Sequence, residues 1–204
     1  MKFCYLGSGS KGNCLAIFHE GWGLLIDAGL SYRQVSRRMG LRGIDPACFR
    51  AVLLSHAHGD HVRGLEGCIK NMGEMPVYAT KQTADACEFL RLHDKLHKPI
   101  GMRETVTIGP FAVTSVPVIH NATGAVTFIV EAAGRKLVLL FETGRITDEM
   151  TALAAGANAL LLEANHEPAM LVFGAYPDYL IERVAATHLS NDGAGAYLRS
   201  IKSS

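Results

Sequence analysis

Four side chains of metal-binding type, compressed into six residues, constrain this chain more than any other feature. They are His56, His58, Asp60 and His61, and they directly follow the apolar residues 51–55. In an extended segment, the rings of His56 and His58 project to the same side because they are two residues apart. Burying such groups without a partner is costly, and imidazole and carboxylate suit Zn, Mn or Fe. The run therefore predicts a metal site at the end of a strand, in preference to an exposed polar loop.

The rest of the chain alternates short apolar strands with a few helices. Strands are predicted at residues 2–6, 14–19, 23–27, 51–55, 75–79, 104–108, 111–118, 127–132, 136–141 and 159–163. Helices are predicted at residues 31–39, 64–72, 81–92, 148–155, 179–187 and 192–201. Strands come first and in hairpins, whereas helices dominate the last quarter, which suits two mixed sheets packed together with helices outside. We therefore predict an α+β fold in a single domain, residues 1–204.

Composition narrows the possible locations and partners. The 20 basic and 19 acidic residues give a net charge of +1, so overall charge gives no support for a nucleic-acid partner. No apolar stretch approaches the roughly 20 residues that span a membrane, and the start MKFCYLGSGS lacks a signal-peptide core. A cytoplasmic location without a membrane partner is predicted. Five cysteines without a C-x-x-C pair argue against a disulfide framework or a thiolate zinc knuckle.

The histidine-rich run is one of seven segments that resemble the metallo-β-lactamase superfamily, and its YycJ/WalJ-like branch in particular. These segments are LGSGSKGN (6–13), LLIDAG (24–29), SHAHGDH (55–61), His120 after the strand SVPV, TGRITDEM (143–150), EANHEP (163–168) and HLSN (188–191). The resemblance covers nearly the whole chain. It implies an αββα sandwich of two mixed β-sheets flanked by helices. Family members generally continue past the HLSN helix, so a C-terminal extension of the family is expected to be lacking here.

The resemblance also implies two divalent metal ions per chain. The ligands implied for the two ions form two sets of three: His56, His58 and His120, and Asp60, His61 and His188. Where the family places a bridging Asp, after the strand LVLLF, this chain has Glu142, whose extra methylene adds about 1.5 Å. Glu142 would bridge the two ions, bind one of them, or weaken the second site. Histidine ligands suit Zn²⁺, the carboxylates leave Mn²⁺ open, and Fe is a further alternative.

Two ions about 3.5–4 Å apart would share a bridging hydroxide, which would serve as the nucleophile. Asp60 is therefore predicted to accept a proton as well as to bind metal. His166 is predicted to act as a general acid or phosphate contact, oriented by Glu163; the alternative is a histidine that merely flanks a helix. Asp27 ends an apolar strand, and we expect it to orient a ligand histidine or to cap a turn.

Candidate substrate contacts lie in two loops and comprise Ser8, Ser10, Asn13 and Asn165. The glycine-rich turn at 7–13 would present Ser8, Ser10 and backbone N–H groups to a phosphate, or it would simply close a hairpin. Arginines 33, 37, 38, 42 and 50 form a local basic excess. They would follow a nucleic-acid backbone or form a solvated helix face.

The function that the resemblance implies is a metal-dependent phosphodiesterase, namely a nuclease that acts on DNA in the manner of an exonuclease. The partner would then be DNA or another phosphodiester. One alternative is a small-molecule hydrolase that acts on a cyclic phosphodiester, a lactone or a thioester at the same metal centre. Another is a catalytically degraded scaffold, which the replacement by Glu142 brings into consideration. An oligomer is compatible with the sequence but is not indicated by it.

Overall fold

The structure, a computed structural model, describes residues 1–202 and contains two stacked β-sheets. The first sheet has six strands in chain order: β1 (Lys2–Gly7), β2 (Cys14–His19), β3 (Trp22–Ile26), β4 (Phe49–Leu53), β5 (Val77–Ala79) and β6 (His97–Pro99). Strands β1 to β3 pair antiparallel, whereas β3 to β6 pair parallel. The sheet is therefore mixed, and its parallel strands all end at the same edge.

The second sheet has five strands in the spatial order β11-β10-β9-β8-β7. They are β7 (Thr105–Ile108), β8 (Phe111–Pro117), β9 (Val126–Ala132), β10 (Arg135–Leu140) and β11 (Ala159–Leu162). All neighbours are antiparallel except β10 and β11, which run parallel. This sheet is also mixed, and β10 and β11 end side by side.

Nine α-helices lie outside the two sheets in residues 1–202. They are α1 (Tyr32–Gly40), α2 (Gly59–Val62), α3 (Leu65–Met72), α4 (Lys81–Ala86), α5 (Glu88–Leu92), α6 (Asp148–Ala154), α7 (Pro168–Phe173), α8 (Asp178–Thr187) and α9 (Asn191–Lys202). Ser31 begins α1 as predicted, because its hydroxyl accepts from the Gln34 backbone while the Gln34 side chain accepts from the Ser31 backbone. None of the helices within residues 1–202 is long and apolar enough to cross a bilayer.

The alternation of side chains along the strands separates the core into layers. Leu15 and Ile17 of β2 join Leu139 of β10 in an apolar cluster between the sheets. Cys14 and Ala16, which point the other way, belong to a second cluster with residues of α1, α3 and α4. A third cluster lies beneath α6 and α9. This order of helices, sheet, sheet and helices confirms the predicted αββα sandwich.

The structure differs from the predicted elements in a few short segments. The continuous helix predicted at 81–92 is wrong, because Cys87 has extended backbone (φ −91°, ψ 107°) and separates α4 from α5. Strand β6 and helices α2 and α7 were not predicted. Strand β6 has only three residues, with the sequence His-Lys-Pro, and so shows no apolar alternation. Helix α7 is apolar at almost every position, so it has no amphipathic period.

Candidate metal centre

The site lies where strands of both sheets end at one edge of the sandwich. Asp27 directly follows β3, and His56 lies shortly after the end of β4. Glu142 lies shortly after β10, and Glu163 directly follows β11. Because β3 pairs parallel with β4, and β10 with β11, the carboxyl ends of each pair are neighbours. Packing of the sheets brings the two pairs together, so that Nε2 of His56 lies 3.9 Å from Oε2 of Glu142.

A buried carboxylate fixes the histidine-rich loop. Asp27 has a φ of 60°, a left-handed conformation that non-glycine residues seldom adopt. Its carboxylate accepts hydrogen bonds of 2.8 Å from both the backbone N–H and the hydroxyl of Ser55, and lies 2.8 Å from Nδ1 of His61. Burial alone would lower the pKa of His61, but the Asp27 and Glu142 carboxylates raise it to about 10. Asp27 thus holds His61 by Nδ1 and leaves Nε2 directed into the site, which is the geometry that an orienting residue requires.

Three imidazole rings converge beside this loop. Nε2 of His56 lies 2.9 Å from Nδ1 of His58, and Nε2 of His120 lies 3.3 Å from the same atom. His56 is fully buried; burial and the neighbouring imidazoles hold its pKa far below the ordinary value. In a tetrahedral site with metal–nitrogen bonds of about 2.0–2.1 Å, ligand nitrogens stand about 3.3 Å apart. The spacing of the rings therefore fits a metal ion, which would also explain why three nitrogens face one another.

Glu142 lies between this group and the remaining candidate ligands. Oε1 lies 3.4 Å from Nε2 of His61, while Oε2 lies 3.5 Å from Nε2 of His120 and 3.9 Å from Nδ1 of His188. Its φ is 59°, again left-handed. Burial would raise the pKa of Glu142, but His61 and the other imidazoles lower it overall. A carboxylate that reaches imidazoles on both sides has the geometry of a bridging ligand, despite its extra methylene.

A second carboxylate supports His188. Oε1 of Glu163 lies 2.7 Å from Nδ1 of His188, while Oε2 accepts from the backbone N–H of Thr143 at 3.2 Å. Burial would lower the pKa of His188, but Glu163 and Glu142 raise it overall. The expectation that Glu163 orients His166 is therefore wrong, because the Glu163 carboxylate is engaged by His188 and Thr143.

Asp60 lies at the solvent-facing margin of the site. Its Oδ2 lies 3.5 Å from Nε2 of His61, and Nδ2 of Asn13 donates to it at 3.1 Å. Nδ2 of Asn13 is also 2.9 Å from Nε2 of His61, and its Oδ1 accepts from Gly9. Asn13, which we expected to contact substrate, thus has its amide engaged within the protein. The approach of this loop depends on Gly29, where a Cβ would stand 1.6 Å from the Asp60 carbonyl oxygen.

The other predicted site residues surround the centre without joining its hydrogen bonds. Nδ1 of His166 is buried and has no hydrogen-bond partner among residues 1–202, and burial lowers the pKa of this imidazole. His166 forms a β-bridge with Ser190. Asn165, Ser8 and Ser10 are exposed. The catalytic role of His166 and the substrate contacts of these three residues stay predictions.

Three residues that the sequence analysis did not assign complete the support of the ligands. The hydroxyl of Ser55 lies 3.0 Å from Nδ1 of His56, and the carbonyl oxygen of Thr187 lies 3.3 Å from Nδ1 of His120. The third is Thr143, which is fully buried and donates to a carboxylate. Each directly precedes or follows a candidate ligand in the sequence, and that adjacency is the signal that could have identified them.

A family comparison agrees with this fold and site. The model of the beta-lactamase superfamily domain matches residues 23–204, so the chain belongs to that superfamily. Within it, the chain is 31% identical to exodeoxyribonuclease YycJ of Bacillus anthracis over 207 residues, covering 98% of this chain and 77% of the relative. It is 33% identical to exodeoxyribonuclease WalJ of Streptococcus pneumoniae, with the same coverage. The predicted superfamily and its YycJ/WalJ-like branch are confirmed.

Solved structures share the fold at low sequence identity. The short form of human tRNase Z superposes with a TM-score of 0.70 at 17% identity, covering 98% of this chain and 88% of that one. Zn²⁺-bound PqqB from Methylobacterium extorquens superposes with a TM-score of 0.66 at 20% identity, covering 94% and 82%. Together with the clustered histidine and glutamate side chains, the fold indicates that this protein binds divalent metal.

Proposed function

We propose that this protein hydrolyses phosphodiester bonds of DNA from a strand end, at a centre of two divalent metal ions. The observation that carries the proposal is the meeting of two groups of candidate ligands at one carboxylate. Glu142 lies 3.4 Å from His61 and 3.5 Å from His120, so it faces both groups at once. Residues 1–204 would act as a single domain, because both sheets supply ligands.

The choice of DNA rests on the relatives rather than on charge. The relatives from Bacillus anthracis and Streptococcus pneumoniae, which match 98% of this chain, are named exodeoxyribonucleases. The net charge of +1 provides no general attraction to a polyanion, so binding would depend on contacts close to the metal centre. A metal-dependent hydrolase of the nuclease and phosphodiesterase kind is the class that agrees with the family, the relatives and the clustered ligands.

The side chains divide into two ligand sets around Glu142. His56, His58 and His120 lie close enough together to hold one ion. As the family resemblance implies, His61, His188 and Asp60 would hold the other, with Glu142 between the two sets. His61 and His188 each have Nδ1 engaged by a carboxylate, so Nε2 is the atom that each can offer. The predominance of imidazole favours Zn²⁺, and the carboxylates admit Mn²⁺.

The proposed chemistry assigns distinct tasks to the protein groups. When bound, a pair of divalent ions supplies a nucleophile that exists near neutral pH and neutralises charge on the phosphoryl oxygens. Asp60, at the solvent-facing margin, would take up the proton released as the nucleophile forms, held in place by the Asn13 amide. His166 would contact the phosphate or donate a proton to the leaving oxygen, and its Nδ1 makes no hydrogen bond to any residue among 1–202.

The first experiment is metal analysis of wild-type protein purified without added metals. We expect about two equivalents of Zn or Mn per chain, released by chelator and restored by metal. Hydrolysis of bis-p-nitrophenyl phosphate should disappear and return in step with the metal content. Protein that binds no divalent metal, or that turns over this ester equally well after chelation, would contradict the proposal.

The second experiment uses DNA labelled at one end. An exonuclease shortens the labelled strand progressively or releases the labelled nucleotide at once, depending on the end attacked. A closed circular DNA without ends should resist under the same conditions. Cleavage of the circle would indicate an endonuclease, and hydrolysis of a lactone or thioester with no action on DNA would favour a small-molecule hydrolase.

A further inference from the structure

A helical hairpin lies beside the metal centre and supplies none of the proposed metal ligands. It consists of α7 (Pro168–Phe173), α8 (Asp178–Thr187) and the turn between them, and we call residues 168–187 the hairpin. The segments that flank its two ends are hydrogen-bonded to each other on either side of His188. The backbone N–H of Asn165 donates to Leu189 at 2.9 Å, and that of Asn191 donates to His166 at 2.9 Å. A ligand seated at the metal centre therefore lies beside the base of the hairpin.

The hairpin exposes large apolar side chains in unusual density. Five of them protrude into solvent: Phe173 (88% exposed), Met170 (73%), Tyr179 (69%), Val172 (57%) and Tyr176 (55%). Leu171 is the one buried residue of α7. Single exposed apolar residues are common, but a cluster of this kind marks an interaction surface. Three of the five are aromatic, which is the residue type that contacts the flat faces of nucleotide bases.

One face of α8 leads outward from the metal centre. Thr187 lies at its inner end, where the carbonyl oxygen is 3.3 Å from Nδ1 of His120. Arg183 and Tyr179 follow on the same face, because residues four apart lie one above the other at intervals of about 6 Å. The order from the site outward is thus a carbonyl, a cation and an aromatic ring.

The charges of the hairpin determine which part of a nucleic acid it can contact. Arg183 is exposed and has no ion-pair partner within residues 1–202. Asp178 and Glu182 give the rest of the hairpin a negative balance, so it cannot follow a phosphate backbone along its length. A single phosphate next to the metal centre suits Arg183, whereas the rings beyond it suit bases. The surface is therefore complementary to a strand whose bases are unstacked.

We propose that the hairpin binds unstacked bases of the DNA strand whose phosphate lies at the metal centre, with Tyr179 as the first stacking ring. Arg183 contacts the phosphate that lies between the nucleotide stacked on Tyr179 and the scissile phosphate. Tyr176 and Phe173 contact bases further along the strand. This inference rests on the proposed function and specifies its substrate as a strand that is single or frayed near the cut. The ring of Tyr176 packs beside Gly174, where a Cβ would stand 3.3 Å from it.

The test measures binding separately from cleavage. Metal-loaded protein is titrated into a fluorescein-labelled 12-residue single strand with phosphorothioate linkages, and anisotropy is recorded while a gel confirms that the strand stays intact. A second strand of the same length and charge carries abasic residues instead of bases. Tyr179→Ala should weaken binding of the base-containing strand by roughly five- to a hundredfold. Tyr179→Phe should retain most of the affinity, because stacking needs the ring and not the hydroxyl.

Two controls separate base stacking from other causes. Leu92→Ala removes an apolar side chain that is about as exposed as Tyr179 but lies at the end of α5, outside the hairpin. This variant should bind both strands as wild type does. The abasic strand should bind wild type and Tyr179→Ala alike. Equal affinity of wild type for the two strands, or no loss of affinity in Tyr179→Ala, would overturn the proposal. A third outcome would also overturn the proposal. Wild type would be a dimer, Phe173→Glu would make it monomeric, and the preference for the base-containing strand would stay unchanged. A second copy of the chain, and not DNA, would then be the partner of this surface.

The metal assays on wild type keep this proposal distinct from the proposed function. Wild type that hydrolyses bis-p-nitrophenyl phosphate and DNA, but does not discriminate bases from abasic residues, leaves the function intact and refutes the role of the hairpin. Wild type that binds bases through Tyr179, but hydrolyses neither substrate, refutes the nuclease and leaves the hairpin as a binding surface. Thermal melting of each variant confirms that the exposed substitutions leave the fold unchanged.

Discussion

The two halves of the metal centre are held in place in different ways. On the side of the first sheet, His56 and His61 are buried, and Asp27 lies beneath them in a closed set of hydrogen bonds. On the side of the second sheet, the His188 side chain is 21% exposed and depends on Glu163 and on the hairpin that precedes it. The first half is part of the core, whereas the second is attached to a projecting segment. The first half thus provides rigid positioning of the ligands, and the second half, on the opposite side of the site, provides access for a substrate.

The largest effect is expected from His58→Ala, which removes a proposed ligand of the first half of the site and leaves the hydrogen bonds of Asp27 in place. Loss of a direct ligand should lower DNA hydrolysis by more than the roughly 100-fold upper range of a supporting residue. Metal content, measured by mass spectrometry, should fall with it. His93→Ala is the matched control, because this side chain is exposed and its Nδ1 is 3.0 Å from the carbonyl oxygen of Phe89, four residues earlier. Full metal content in His58→Ala would exclude the three-histidine group as a metal site.

Asp27→Ala should cost the most stability, and so it tests whether the first half belongs to the core. It leaves His61 buried without its carboxylate, and breaking a buried pair typically costs about 3–5 kcal/mol. The measurement is urea unfolding of metal-free protein. Asp45→Ala, which removes a carboxylate that caps an exposed turn, is the control and should cost much less. A loss as small as that of the control would mean that the Asp27 network does not anchor the loop.

Glu163→Gln tests the second half of the site and should have a smaller effect. The amide oxygen can still accept from Nδ1 of His188, so mainly the charge is lost. We expect about tenfold weaker metal binding, at the lower end of the range for supporting residues, and a smaller loss of stability than in Asp27→Ala. Chelator competition measures the affinity. If the two variants lose equal stability, the contrast between the halves does not hold.

The pairing of His61 with Asp27 should also make the stability of the metal-free protein depend on pH. The folded-state pKa of His61 is raised to about 10 from an ordinary value of 6.5. The proton is therefore bound more tightly in the folded state, and its stabilisation is complete below pH 6.5 and lost as the pH rises through 10. Urea unfolding between pH 6 and about 10 should show this decline in wild type. Asp27→Asn should flatten it, and an unchanged slope in that variant would assign the decline to other groups.

The sequence predicts the first half of the site well, because the residues that form it lie in one loop and at the end of one neighbouring strand. His56, His58 and His61 lie within one loop that directly follows a strand, and Asp27 ends the neighbouring strand of the same sheet. Once the strands are recognised, their parallel pairing places these residues side by side. The family pattern added His120, which local reasoning alone would have left as a surface residue.

The second half could not be derived in the same detail, because its contacts join distant parts of the chain. Glu163 and His188 are 25 positions apart and meet only because the hairpin returns to its starting point. No pattern in EANHEP indicates whether Glu163 contacts His188 or the nearer His166. Helix α7 was missed for a related reason: it leaves most of its apolar side chains in solvent, so the usual periodicity of a packed helix is absent.

The left-handed backbone shared by Asp27 and Glu142 has opposite consequences at the two positions. Glycine adopts this conformation freely, whereas another residue held in it costs on the order of 1–3 kcal/mol. Libraries screened only for heat resistance should therefore drift toward glycine at Glu142, whereas libraries screened for turnover should keep the acid there. At Asp27 both libraries should keep the acid, because breaking its buried pair with His61 costs about 3–5 kcal/mol, more than the strain. In newly sequenced chains of this fold, an acid at both strand ends would then mark working enzymes, and glycine at the Glu142 position alone would mark descendants that fold but have lost a metal ligand.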